Sequence, residues 1–409
     1  MLKCGLLGEK LGYSYSPQIH GMLGDYEYRL YEKTPAEVED FLKNGDFDGL
    51  NVTIPYKKTV APLCGELSPQ ARLLGSVNTI VRRPDGSLYG DNTDYYGFKE
   101  LMRENGVDPA EKKCLVLGSG GASVTVCAVL RDLGAEEVVV ISRSGPDNYE
   151  NLEKHADASI LVNATPVGMY PNNGKSPLDL MVFNSLDAVI DVVYNPAHTA
   201  LLLQAEELGI PYANGLYMLV SQAKRSSELF TGQAIDDELQ DDITDTLSAQ
   251  MQNVVLIGMP GCGKTTIGKL LSEKTGREFL DIDDEVTLRA GKPIPQIFAD
   301  DGEEVFRRME TEVISDFGKL SGKIIATGGG AVKNRRNYAP LHQNGQIFWI
   351  KRRLEDLPKD GRPLSLTTSL EEMYAAREPL YDAFSDFVVF NYKAPEESAN
   401  AIIEMLKPY

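Results

Sequence analysis

The stretch NVVLIGMPGCGKTTIG, beginning at residue 253, sets an apolar run, a glycine-rich turn and a helix-like segment in direct succession. Within it, Gly258 to Thr265 read G-x-x-x-x-G-K-T, the spacing of a loop that wraps phosphates. Gly258, Gly261 and Gly263 free the backbone so that successive N–H groups, those of Cys262 and Thr266 included, can turn toward an anion. Lys264 supplies a point charge for the outer phosphates, and the Thr265 hydroxyl can bind Mg²⁺. A turn matching by chance would lack the strand before it and the helix after it, so a nucleoside-triphosphate site is predicted here.

Five further pieces follow in order. FLDIDDEV sets Asp281 and Asp283 two apart, which in an extended backbone places both carboxylates on one side. DGEEVFRRMET carries Arg307, ATGGGAV carries Gly328, Gly329 and Gly330, LPKDGRPLS carries Arg362, and REPLY carries Arg377. Phosphoryl transfer asks mainly for positioning and charge neutralisation, and arginine forks suit a small carboxylic acid. In this order after a phosphate loop, the motifs resemble the shikimate kinase family over the whole last third of the chain.

That resemblance implies ATP and Mg²⁺. It implies that Asp281 supports the metal through water and that Asp283 accepts or orients the substrate hydroxyl proton. By the same resemblance Arg307 and Arg377 pair with the substrate carboxylate and the three glycines lie against its ring. Arg362 is then the lid arginine that, with Lys264, reaches the transferring phosphate. The lid motif is short and holds this one arginine.

Upstream, GYSYSPQIHGML places Ser14 and Ser16 two apart, so that in an extended turn both hydroxyls can face one ligand. NVTIPYKK and GDNTDYYGF then put Lys57 and Asp94 at the ends of strand-like runs. A lysine beside a carboxylate can polarise a ketone and hydrogen-bond the hydroxyl that replaces it. Together these segments resemble the shikimate dehydrogenase family, through about residue 240. The resemblance implies Lys57 and Asp94 as the catalytic pair and Ser14 and Ser16 on the substrate carboxylate. Thr53, Asn78 and Gln222 would hold ring hydroxyls, with Tyr194 near the substrate.

LVLGSGGAS follows a strand and opens a helix, as a dinucleotide-binding turn does, with Ser123 where a third glycine is usual. Gly118, Gly120, Gly121 and Ala122 would face the pyrophosphate. The next strand ends in Ser142 and Arg143, where an NAD enzyme would place an acid, so NADP is the expected cofactor. By resemblance Gly215 also approaches the cofactor, and Met218 lines its nicotinamide side. The chain departs from the family pattern at Gly21, Tyr95 and Ser142. Only 19 residues, 144–162, separate Arg143 from Asn163. That is room for one helix and one strand, which implies a trimmed cofactor domain.

These groups need scaffolds. In a chain of 409 residues, apolar strand candidates alternate with helix-like segments in three stretches, the pattern of α/β domains. The expected architecture is an N-terminal substrate-binding α/β domain (1–100) and a Rossmann-like NADP domain (101–250). A P-loop kinase α/β domain with a parallel sheet (251–409) follows. Segment 231–250 holds six acidic and no basic residues, and Leu239, Ile243 and Leu247, spaced by four, predict a terminal helix with one apolar face.

A net charge of −19 argues against nucleic-acid binding, and no apolar run is long enough to cross a bilayer. MLKCGLLGEK shows no secretory pattern, and five scattered cysteines fit a reducing cytoplasm. A monomer or homodimer acting on small molecules is expected. The two resemblances share one compound, so the implied function is bifunctional. The first half reduces 3-dehydroshikimate to shikimate, and the second phosphorylates the hydroxyl just made. Two other readings stand beside it. One is a quinate/shikimate dehydrogenase joined to a different small-acid kinase. The other is a non-catalytic metabolite-sensing regulator, which would lack the catalytic residues present here.

Overall fold

Short runs of Val, Ile, Leu and Cys between glycine and polar turns form strands in this chain, since a strand buried on both faces needs apolar residues throughout. The structure, a computed structural model, describes residues 1–12, 14–357 and 369–406. It forms two compact units. The first is Met1–Val167, Pro177–Tyr194 and Gln204–Asp245; the second is Gly168–Ser176, Asn195–Leu203 and Thr246–Tyr409.

The first unit opens with a six-stranded sheet of β1 (Lys3–Gly8), β2 (Glu27–Glu32), β3 (Gly49–Val52), β4 (Glu66–Leu67), β5 (Thr79–Arg82) and β6 (Leu88–Asp91). Their spatial order is β2-β1-β3-β5-β6-β4. β1 runs parallel to β2 and β3, while β5 is antiparallel to β3 and β6. β2 (EYRLYE) was not legible as a strand, because it lies at the sheet edge with no fully buried position.

The second sheet of this unit contains β7 (Lys113–Leu117), β8 (Glu137–Ile141), β9 (Ile160–Asn163), β10 (Ala188–Asp191) and β11 (Tyr212–Ala213). All neighbours are parallel, in the order β11-β10-β9-β7-β8. The chain leaves β7 for β8 on one side and returns to β9 on the other. Such a reversal opens a crevice at the carboxyl ends of the strands. Between β8 and β9 the only helical element is the single 3₁₀ turn Leu152–His155, so β8 is the sheet's edge. The short spacing noted in the sequence has this consequence.

Helix Leu216–Thr231 packs against helix Thr93–Glu104 and against helix Ser16–Leu23 of the first sheet's layer. Its buried Ser226 receives a hydrogen bond from Asn51 Nδ2 at 2.8 Å and lies 2.9 Å from Thr79 Oγ1. The following helix, Asp237–Met251, corrects one expectation. Ile243 and Leu247 are buried, but Leu239 is 37% exposed. Gln240 is buried instead, its Nε2 donating to Ser221 Oγ at 3.0 Å, so a polar side chain sits where an apolar stripe was expected.

The second unit is built on β12 (Asn253–Ile257), β13 (Phe279–Asp281), β14 (Ile324–Ala326), β15 (Gly345–Lys351) and β16 (Phe387–Phe390). All are parallel, in the order β13-β14-β12-β15-β16. Every residue of the central β12 is buried. Among the described residues no helix is long and apolar enough to cross a membrane.

One packed ring makes the stability of the first unit depend on pH. His20 stacks on Tyr28 with ring centroids 4.1 Å apart and shares a 2.6 Å hydrogen bond with Tyr26 Oη. Burial lowers its pKa from 6.5 to about 3, against a smaller opposing hydrogen bond that the ring donates to Asn51. The folded state therefore resists a proton that the unfolded chain takes up below about pH 6.5, and stability falls as pH falls through that window. The stability gap between wild type and His20→Gln in urea should narrow by about 1 kcal/mol between pH 6.5 and pH 5.5. An unchanged gap would show that protonation of this ring is not opposed by the fold.

Candidate active sites

β3 ends at Val52, and the chain turns through Thr53 and a cis Ile54–Pro55 bond to bring Lys57 beside helix Thr93–Glu104. Lys57 Nζ donates to Asp94 Oδ2 at 2.6 Å. Asp94 is set by its neighbour Thr93, whose backbone N–H donates to Asn78 Oδ1 at 2.7 Å and whose hydroxyl lies 3.1 Å from Ser226 Oγ. With that oxygen engaged, Asn78 has its amide N–H groups to offer a ligand.

A cavity of about 200 Å³ is lined by Ser14, Ser16, Thr53, Lys57, Asn78, Tyr194 and Gln222. Seven residues singled out from the sequence thus share one wall, and Asp94 reaches it through Lys57. The two serines meet differently from the extended turn expected. Tyr15 between them is helical in φ and ψ, and Ser16 N–H donates to Ser14 Oγ at 3.2 Å at the start of a helix. His20 and Asn51 also line this cavity and were not anticipated. Asn51 is the first residue of the NVTIPYKK run that drew attention to Lys57, and it also accepts from Tyr28 Oη at 2.8 Å.

At the carboxyl end of β7, Gly118 has φ +101°, and a Cβ there would lie 2.8 Å from Thr165 Cγ2. Gly120 precedes helix Gly121–Asp132, which no side chain caps, and a Cβ on Gly120 or Gly121 would meet open space. The first N–H groups of this helix, at Gly121 and Ala122, are available to an anion such as a pyrophosphate. Ser142 and exposed Arg143 lie in the loop after β8, so the donor set fits a phosphorylated dinucleotide. Gly215 precedes helix Leu216–Thr231, whose Leu216 N–H donates to Asn214 Oδ1 at 2.9 Å. Met218, expected at the nicotinamide side, is 7% exposed and packs in the core with Tyr95 and Phe98.

In the second unit a cavity of about 530 Å³ is lined by the phosphate loop through Gly261, Gly263, Lys264, Thr265 and Thr266. Lys264 Nζ donates to the carbonyls of Gly258 and Met259 at 2.9 and 3.1 Å. Gly258 and Cys262 do not reach the cavity among its described lining residues; the Cys262 thiol is fully buried, 3.8 Å from Lys264 Nζ. Thr265 Oγ1 donates to Asp281 Oδ2 at 2.9 Å. These are hard oxygen donors in a partial set, which suits a Mg²⁺ ion that keeps several waters.

Asp281 and Asp283 both line this cavity, but not by strand alternation. β13 stops at Asp281, which caps helix Ile282–Ala290 by accepting from Asp283 N–H at 3.0 Å. Burial, with Asp281 as the next cause, raises the Asp283 carboxyl above its usual range against the pull of Lys264 and Arg307. Arg307 donates to Glu310 at 2.7 Å and Glu303 at 3.2 Å. Burial works against the Arg307 cation, yet these two carboxylates more than restore it. Glu310 itself is raised, because it is wholly buried and burial outweighs its arginine partner.

Asp283 Oδ1 and Glu310 Oε1 are both buried without a protein partner. A Cβ at Gly328 would lie 2.6 Å from Glu310 Oε1 and 2.8 Å from Asp283 Oδ1, so the two acids converge on bare backbone. That arrangement asks for a ligand that donates hydrogen bonds. Gly330 lies under the Arg307 guanidinium, and the Gly329 carbonyl accepts from Arg377 Nη1 at 3.1 Å and Tyr381 Oη at 2.5 Å. Glu310 escaped the sequence reading although it sits three residues after Arg307, on the same helix face. Arg362 lies outside the described residues.

Fold and sites define a nucleotide-dependent oxidoreductase and a P-loop kinase on one chain. Residues 6–80 match the family model for the shikimate dehydrogenase substrate binding domain, and residues 260–407 match that for shikimate kinase. The shikimate dehydrogenase (NADP(+)) of Clostridium perfringens strain 13 is 34% identical over 267 residues, covering 60% of this chain and 98% of the relative. A crystal structure of a chorismate mutase/shikimate 5-dehydrogenase fusion protein from Clostridium acetobutylicum superimposes with TM-score 0.57 at 37% identity, covering 60% of this chain and 96% of that one. The Thermus thermophilus shikimate 5-dehydrogenase, in complex with NADP(H) and shikimate, gives 0.54 at 32%, covering 60% and 98%. The chain belongs to the shikimate dehydrogenase family, and its last third is a shikimate kinase domain.

The close approach at Gly328 makes a direct prediction. Gly328→Ala forces a methyl against two buried carboxylates, so kinase activity should fall roughly tenfold or more, equivalent to about 1.4 kcal/mol or more. The far-UV circular dichroism should stay as in wild type. Activity within twofold of wild type would show that the acids do not need the bare backbone.

Proposed function

We propose that the chain reduces 3-dehydroshikimate to shikimate with NADPH and then phosphorylates shikimate to shikimate 3-phosphate with ATP and Mg²⁺. We assign the substrate-binding domain to residues 1–100, the NADP domain to 101–250 and the kinase to 251–409. The observation that carries this reading is that substrate-side candidates of each half share a cavity: Lys57, paired with Asp94, in one, and the phosphate loop with Asp283 and Arg307 in the other.

In the first reaction Ser14 and Ser16 hold the substrate carboxylate, and Thr53, Asn78, Gln222 and Tyr194 orient the ring. NADPH, when bound, supplies the hydride. Lys57 delivers the proton to the carbonyl oxygen, and Asp94, 2.6 Å from its ammonium, keeps that group aimed and accepts a substrate hydroxyl. In the second reaction Arg307 and Arg377 grip the carboxylate, and Asp283 takes the proton of the attacking hydroxyl. Gly261, Gly263, Lys264, Thr265 and Thr266 would hold the phosphates, Lys264 and Arg362 neutralise charge on the transferring group, and Thr265, with Asp281 through water, would hold the metal. Phosphorylation removes shikimate and draws the reversible reduction forward. The setting is the cytoplasm, as a monomer or homodimer.

The two activities should separate by mutation. With shikimate and NADP⁺, Lys57→Ala should lose roughly a hundredfold or more of dehydrogenase rate and keep kinase activity. Lys264→Ala should do the reverse, measured with shikimate, ATP and Mg²⁺ in a coupled ADP assay. Loss of both activities in either variant, or of neither, would overturn the assignment.

A further inference from the structure

Among the described residues four basic side chains line the kinase cavity, and three of them are engaged. Arg307 is held by Glu303 and Glu310, Lys264 by two loop carbonyls, and Arg377 by the Gly329 carbonyl. The fourth is Arg352, the first residue beyond β15 and thus at the carboxyl edge of the sheet. Among the described residues its one hydrogen-bond partner is the Gly261 carbonyl of the phosphate loop, 3.5 Å from Nη1, and it has no carboxylate partner. Its neighbours face elsewhere: Lys351 pairs with Glu378 at 2.9 Å, and Arg353 lies over the Tyr392 ring.

A guanidinium carries five N–H donors, and a single long bond to one carbonyl leaves most of them to give. The group stands against a loop built to surround phosphates, in a cavity of about 530 Å³. Its place at a strand end fixes its backbone before any ligand arrives, which reduces the reorganisation that charge stabilisation would cost. The lid segment LPKDGRPLS contains one arginine, Arg362, so the charge that meets a polyphosphate has to come partly from elsewhere.

We propose that Arg352 binds the polyphosphate of the nucleotide, donating to oxygens beyond the α-phosphate as the chain passes the Gly261 turn. This rests on the reading of the second unit as an ATP-dependent kinase. It adds a phosphate-binding arginine on the sheet itself, independent of the lid.

The test is calorimetric binding of Mg·ADP, of AMP and of shikimate to wild type, Arg352→Gln and Arg352→Lys, with thermal melts of all three proteins. Arg352→Gln should weaken ADP binding by roughly tenfold to a hundredfold, as loss of a charge-assisted bond would. AMP and shikimate affinities and the melting temperature should stay as in wild type, and Arg352→Lys should recover part of the ADP affinity. ADP affinity within twofold of wild type in Arg352→Gln would overturn the proposal. So would a parallel loss of shikimate affinity and melting temperature, which would make the residue a prop for the loop. Failure of wild type to bind ADP would overturn the kinase reading, and this inference with it.

Discussion

Among the described residues two of the three sheets are wholly parallel, and parallel strands buried on both faces have no room for polar chemistry along their length. Polar side chains can act only where the strands end. This constraint places the sites. In the second sheet the strands close on Asn163 and Asp191, both fully buried and joined at 3.0 Å, with Thr165 donating back to Asn163. In the third, β12 runs into the phosphate loop, β13 into Asp281, β14 into the three glycines and β15 into Arg352. Four consecutive strand ends thus deliver a phosphate cradle, an acid, a bare backbone and a cation to one cavity.

The two halves then solve the remaining positioning differently. The dehydrogenase half uses a hydroxyl network: Asn51, Thr79 and Thr93 meet at Ser226, so the returning helix locks the start of helix Thr93–Glu104 and with it Asp94. Each hydroxyl is satisfied, and a satisfied buried network specifies one arrangement. The kinase half leaves polar atoms waiting. Asp283 Oδ1 and Glu310 Oε1 are buried and unpartnered next to an arginine, an arrangement that becomes favourable only when a ligand donates to them. One site is stabilised by the protein alone, the other completed by its substrate.

Residues in contiguous motifs were the legible ones. GMPGCGKT, NVTIPYK and REPLY could be read because loop and strand-end chemistry fixes residue type over a few positions. Glu310 and Arg352 were not, because each acts through its place on an element, one helical turn or one strand end from a recognised group, and neither spacing nor type marks it alone. β2 was hidden by its exposure, and Leu239 misled because its helix buries Gln240 instead. The pairing of Asp281 with Asp283 was seen for the wrong reason: a cap, not strand alternation, brings them together.

The central claim is that one chain performs two consecutive steps on one molecule. The purified protein should be given 3-dehydroshikimate, NADPH, ATP and Mg²⁺, and its products followed by mass spectrometry. The account predicts shikimate 3-phosphate as the final product, with NADPH and ATP consumed in equal amounts. Shikimate that accumulates unphosphorylated, or 3-dehydroshikimate that persists while both cosubstrates remain, would contradict it.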